Sequence, residues 1–165
     1  MSRTLTQQRG RADEIDAAVE LFGPEMYGLA LSIAAEVHDA QDAYQAAWLS
    51  ATRHWDQLRT VSKRRAWLAA IVVRAARRTS RRRLVRLTRE TTFDTSTGLE
   101  AVMPWDPAMA GALRNLSVRQ RQVVALHYGH GYSLDEVAAI LGCRGGTVRA
   151  HLSRALEKLR EALIL

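Results

Sequence analysis

The sequence predicts an all-α protein, built as two small helical domains joined by an extended linker. Three observations carry this. Apolar residues recur at helical steps through most of the chain, strand-type alternation is nearly absent, and Ala, Leu, Arg and Glu dominate. The stretch from Thr91 to about Ala110 breaks the periodicity with Thr, Ser, Gly and Pro and is locally acidic, as an extended linker would be. A single domain holding so long a structureless segment would be unusual. The expected boundaries are a tail over 1–11, a first domain over 12–90, a linker over 91–110 and a second domain over 111–165.

Residues 1–11 are polar and aperiodic, which predicts a mobile tail. Periodicity begins near Ala12, and Ile15, Val19, Phe22, Met26, Leu29 and Ile33 follow helical steps. Gly23-Pro24 predicts a kink or break in that helix. Asp39 is placed to cap the next helix, which should run to about Trp55. Ala43, Ala47, Trp48 and Ala51 form its apolar set, and Asp42, Gln45 and Arg53 lie outside it. A polar loop at 56–63 precedes RRAWLAAIVVRAARRTSRRRLVRLTRE. Trp67, Leu68, Ile71 and Val72 are apolar enough to be buried. The second half of that stretch holds Arg74, Arg77, Arg78, Arg81, Arg82, Arg83, Arg86 and Arg89. Arg74, Arg78, Arg82, Arg86 and Arg89 share one side of a helix, and only Glu90 is near enough to pair with them. Like charges four apart destabilise a helix, so a merely solvated face mixes signs. An unpaired basic stripe points instead to a polyanion.

The C-terminal stretch 116–163 reads as a four-segment helical unit around a helix-turn-helix from Ser133 to Lys158. Ser133 with Glu136 makes a capping box, Val137, Ala138, Ile140 and Leu141 give a short helix one apolar face, and Gly142 supplies the tight turn. After Gly145-Gly146 a second helix buries Val148, Leu152, Ala155, Leu156 and Leu159. Its other face carries Thr147, Arg149, Ala150, Ser153, Arg154 and Lys158. Small residues beside arginines suit a helix entering a major groove, where Arg can fork onto guanine or clamp phosphate. The plainer alternative is a helical hairpin with a solvated basic face.

Charge and composition narrow the function classes. Lys plus Arg number 24 against 17 Asp plus Glu, a net charge of +7, which favours a polyanionic partner. One cysteine, Cys143, cannot form an intramolecular disulfide. An apolar signal core and a membrane-spanning run are both missing, so a cytoplasmic protein without membrane insertion is expected. His127 and His130 are spaced HxxH, yet glycines flank His130 and no Cys or carboxylate cluster completes a site. No metal, cofactor, catalytic residue or small-molecule substrate is therefore expected, and an enzyme is disfavoured. A stand-alone helix-turn-helix regulator binding duplex DNA as a dimer stays open as the alternative.

The order of these parts resembles a bacterial RNA polymerase sigma factor of the extracytoplasmic-function type. LSVRQRQVVALHY followed by SLDEVAAILGCRGGTVRAHLSRAL is similar to region 4, which binds the promoter −35 element. DAQDAYQAAWLSATRHW followed by RAWLAAIVVRAARRTSRRR is similar to region 2, which binds the −10 element and the core polymerase. The resemblance implies −35 contacts at Gly146, Thr147, Arg149, Ala150, Ser153 and Arg154. It implies a −10 surface of Trp55, Arg64, Arg65, Trp67, Arg74, Arg77, Arg78, Arg81 and Arg82, and a base-capturing loop at 56–63. Asp42 and Gln45 match the helix that docks on the largest polymerase subunit. Core RNA polymerase, promoter DNA and an anti-sigma factor are the implied partners. The chain departs from the family where Gln41 and Ala46 replace usual acids, and where Arg74 and Arg78 replace common Asn and Asp. Ala150 replaces a frequent Ser, and Gly145 a bulkier residue. The chain ends soon after region 4, so no C-terminal regulatory domain is expected.

Overall fold

Apolar residues at helical spacing can be buried only if each helix lays its stripe against another. The computed structural model, which describes residues 2–34, 36–57, 60, 63–87 and 106–163, shows two helical units doing this. The first is built from α1 (Ser2–Ile33), α2 (Val37–Arg53) and α3 (Arg64–Leu87). Met26, Leu29, Ala30 and Ile33 of α1 meet Leu68, Ala69, Val72, Val73 and Ala76 of α3. Helix α2 contributes Ala40, Ala43, Ala47 and Ala51, small residues that let its neighbours approach closely.

Three expectations about this unit are corrected. Helix α1 begins at Ser2, so the segment read as a tail is helical in backbone. It also runs through Gly23-Pro24 without a break. Pro24 removes one backbone donor, but buried residues on both sides of it, Ala18 and Met26, hold the helix in the bundle. Gly23 serves a different purpose, since a Cβ there would come within 3.0 Å of the Tyr44 hydroxyl on α2. Asp39 is not the cap of α2. Glu36 occupies that position in extended backbone, and Asp39 lies buried in the first turn, where a carboxylate complements the helix dipole.

The second unit holds α4 (Pro107–Arg114), α5 (Val118–Val124), α6 (Leu134–Leu141) and α7 (Gly145–Leu163). Helix α4 starts inside the span expected to be linker, because Asp106 caps it by accepting from the Ala108 N–H at 3.0 Å. The rest of the expected linker, residues 88–105, lies outside the described residues. Ser117 and Gln120 form a capping box on α5, and a π-helical turn at Ala125–Gly129 continues it. The expected box on α6 is present. The Glu136 N–H donates to Ser133 Oγ at 3.2 Å, and the Ser133 N–H donates to Glu136 Oε2 at 2.8 Å. These bonds hold the Glu136 carboxyl below the usual carboxylate value. Gly142 ends α6 at φ +64°, a left-handed conformation that favours glycine.

The two units are in contact. Helix α6 packs on α3, α1 packs on α5 and its π turn, and the buried apolar residues join into one cluster. A polar cluster crosses this seam. Arg65 forks onto Glu25, with Nε 2.9 Å from Oε2 and Nη2 2.7 Å from Oε1, and it donates to the His130 carbonyl. Its guanidinium carbon lies 4.1 Å from the centroid of the Tyr132 ring. Tyr132 is buried, and its hydroxyl donates to Glu25 Oε1 at 3.0 Å.

Candidate nucleic-acid interface

The capping box on α6 and the glycine turn after it set the direction in which α7 leaves. Val148, Leu152, Ala155 and Leu159 are buried, which fixes the rotation of α7 about its axis. The six residues expected to meet a major groove therefore share the free side: Gly146, Thr147, Arg149, Ala150, Ser153 and Arg154 are all exposed. A Cβ at Gly146 would meet nothing within 4 Å, so packing within the chain does not require glycine there.

The nine residues expected on the −10 side separate into distinct environments. Trp55 is buried, and its ring stands edge-on to Trp67 with centroids 6.2 Å apart. Arg64 lies over the Trp55 ring at 4.8 Å and pairs with Glu14 at 2.8 Å. Glu14 also accepts from Trp55 Nε1 at 3.3 Å, and the Trp55 bond, followed by the Arg64 bond, holds its carboxyl below the usual value. Trp55, itself held by Arg64 and Glu14, thus stands edge-on against Trp67. Arg65 is engaged at the seam with Glu25, so it is not grouped with the other arginines. Burial, and then the neighbouring Arg119 of α5, lower the Arg77 guanidinium below its usual value. Arg81 is exposed. The remaining four, Trp67, Arg74, Arg78 and Arg82, line one groove of about 440 Å³ between α2 and α3. The side chain of Arg86 and all of Arg89, part of the same expected stripe, lie outside the described residues, as do 58–59 and 61–62 of the polar loop.

Asp42 and Gln45 are both exposed on α2. Gln45 borders a second groove, of about 650 Å³, together with Gln41, Tyr44, Val19, Gly23 and Tyr27. Sequence reasoning missed Tyr27 and Tyr44, whose rings meet edge to face at 5.5 Å and continue to Trp48 at 6.3 Å. Leu21 and Leu49 are nearby in sequence, 72% and 61% exposed. The available signal was that both leucines fall off the apolar steps of their helices.

The two histidines of the HxxH spacing part company. His127 Nδ1 is 2.7 Å from the Tyr132 carbonyl, while His130 sits at the seam near Gly28. Among the described residues, no group of three His, Cys, Asp or Glu side chains gathers to hold a metal, and no helix is long and apolar enough to cross a membrane.

Comparison with known proteins gives a consistent result. Residues 18–85 match the family model for Sigma-70 region 2, and residues 112–161 match Sigma-70, region 4. The chain is 33% identical over 127 residues to an RNA polymerase sigma-E factor of Streptomyces avermitilis, spanning 76% of this chain and 71% of the relative. It is 30% identical over 156 residues to the ECF RNA polymerase sigma factor EcfG of Rhodopseudomonas palustris, spanning 92% and 83% of the two chains. Among solved structures it resembles the sigma factor RpoE in complex with the anti-sigma factor NepR from Bartonella quintana. The TM-score is 0.79 at 26% identity, covering 92% of this chain and 98% of that one. It also resembles CnrH in complex with the cytosolic domain of CnrY, with a TM-score of 0.66 at 27% identity, covering 90% and 86%.

Proposed function

The chain belongs to the extracytoplasmic-function family of RNA polymerase sigma factors, and from that premise we propose that it binds core RNA polymerase, recognises −35 and −10 promoter elements and stabilises the opened DNA. The observation that carries this is the pairing, in one chain, of an exposed recognition face on α7 with an arginine-lined groove on α3. Arg149 and Arg154 supply forked donors to base edges or phosphates, and Ala150 and Ser153 keep the helix backbone close to the groove floor. Two weak DNA-binding modules gain effective concentration once polymerase holds them at the promoter spacing. Opening a base pair costs a few kcal/mol, which contacts to the unpaired strand offset. Asp42 and Gln45 lie on the polymerase-docking side of α2 in this reading, with the Tyr27–Tyr44 groove beside them. Nucleotidyl transfer belongs to the polymerase, so this chain performs no covalent step. The similar sigma factor RpoE is in complex with the anti-sigma factor NepR, and in this reading the present chain likewise binds an anti-sigma factor and acts in the cytoplasm.

Run-off transcription on genomic fragments, with core polymerase and with or without this protein, tests the proposal. Discrete transcripts that depend on the protein are expected. Arg154→Ala should weaken them by the equivalent of about 1–3 kcal/mol of −35 discrimination. Absence of such transcripts, together with a stable dimer that footprints duplex DNA alone, would replace this reading with that of a regulator.

A further inference from the structure

The two acids at the start of α6 are used differently. Glu136 closes the capping box with Ser133, while Asp135 beside it takes no part in the box and is exposed. A carboxylate in a first turn complements the helix dipole, but Glu136 already supplies one there. Asp135 also stands next to the face of α7 that meets a polyanion in the function proposed above, where an unneutralised negative charge would repel phosphate. Such a position calls for a cation, and one is at hand. Arg149 Nη1 lies 3.5 Å, and Asp135 Oδ1 3.9 Å, from the point where a Cβ on Gly145 would stand. The guanidinium of α7 and the carboxylate of α6 thus flank the same bare spot on the backbone.

Gly145 leaves that spot bare. Its backbone is ordinary helix, outside the left-handed region, so its conformation does not require glycine. Long side chains on a helix lean toward its N-terminus, over the residue four positions earlier, and for Arg149 that residue is Gly145. An added Cβ would only touch the guanidinium, but a β-branched side chain would fill the place it occupies. That lean decides what Arg149 can read. A recognition helix presents its first residues to base edges, so a guanidinium drawn toward the start of α7 is carried to the groove floor and away from the flanking phosphates. The start of a helix is also its positive end, which disfavours a cation there. The Asp135 carboxylate offsets this.

We propose that Asp135 and Gly145 are positioning residues for Arg149, holding its fork at the leading end of α7 so that it reads a guanine in the −35 element. Guanine is the base whose O6 and N7 match a bidentate arginine. Gly145 supplies the room, Asp135 supplies the counter-charge, and both act through Arg149. The inference deepens the function proposed above and rests on it for the promoter, but not for the arrangement of the three residues.

The test uses the polymerase holoenzyme on a promoter mapped by run-off transcription, with each −35 base pair replaced in turn. One guanine should be preferred by about tenfold or more, and Arg149→Lys, which keeps the charge and loses the fork, should remove most of that preference. Asp135→Asn should reduce it by about two- to fourfold, the scale of an exposed charge pair, at that position alone. Asp135→Glu should restore it, and Gly145→Val should lower it as Asp135→Asn does. On an Arg149→Lys background neither Asp135→Asn nor Gly145→Val should have a further effect. An unchanged preference at the guanine in Asp135→Asn, or an equal loss at every −35 position, would overturn the proposal. In the free chain, NMR relaxation at Arg149 Nε should show more motion in Asp135→Asn and Gly145→Val than in the wild type. Equal motion in all three would overturn the positioning. Transcripts whose base preferences ignore Asp135 would overturn this inference and leave the sigma function standing. An Arg149 ordered by Asp135 in a chain that yields no transcripts would do the reverse.

Discussion

Gln122 lies on α5 at 1% exposure, and among the described residues neither its Oε1 nor its Nε2 has a hydrogen-bond partner. A buried amide without partners costs about 1–3 kcal/mol, so Gln122→Met, of similar volume and shape, is expected to raise stability by an amount in that range. A rise in thermal midpoint would bear this out, and a fall would mean that the amide has a partner in solution. Glu25 is the opposite case, because one carboxylate accepts from both Arg65 and Tyr132. Glu25→Gln keeps the shape and removes the charge, and should loosen the seam by about 1–2 kcal/mol, discounted for partial exposure. Protection of α6 amides from hydrogen exchange would report it, since α6 packs on α3 beside this cluster.

At the scale of elements, the turn between α6 and α7 concentrates the local rules. Gly142→Ala forces an L side chain into φ +64°, at a cost of about 1–2 kcal/mol even though a Cβ there would find open space. Urea unfolding should therefore show a lower midpoint with an unchanged m-value. This turn and the capping box before it were legible in the sequence because Ser133, Glu136 and Gly142 act on backbone within a few residues of themselves. The inward face of α7 was legible for a similar reason, since Val148, Leu152, Ala155 and Leu159 carry a period that only one helix rotation can bury. The continuity of α1 was not. Gly23-Pro24 locally favours a break, and the deciding term is tertiary: Gly23 makes room for Tyr44, and the bundle holds the helix on either side of Pro24. The sorting of the α3 arginines was half legible. Periodicity placed Arg74, Arg78 and Arg82 on one side, but Arg65 finds Glu25, 40 positions away, and the Tyr132 ring of the other unit. Pairs that distant leave no periodic trace.

At the scale of the whole molecule, the seam joins the two helical units through packed helices and the Glu25–Arg65–Tyr132 cluster. His130 gives that seam a pH dependence. Its ring lies beside α1, near Gly28, and faces Glu25 of α1 and Arg65 of α3. Burial is the largest influence and lowers its pKa below the usual 6.5, Glu25 opposes this, and Arg65 adds to it. A lowered value means that the docked arrangement favours the neutral ring. Its contribution is therefore full above pH 6.5 and is lost as pH falls through the docked value. Below that point a second cation stands beside Arg65, and the units should separate. Small-angle scattering from about pH 7.5 to about pH 5.5, a window in which histidine alone among ordinary side chains titrates, should show the radius of gyration rising on acidification. In His130→Gln, whose side chain cannot acquire a charge, the rise should be absent. A radius independent of pH in the wild-type chain, or the same rise in the variant, would place the control of docking elsewhere. Glu25→Gln offers the complementary check. Weakening the seam by the same amount, about 1–2 kcal/mol, it should let the variant reach the expanded radius with less acidification than the wild type needs.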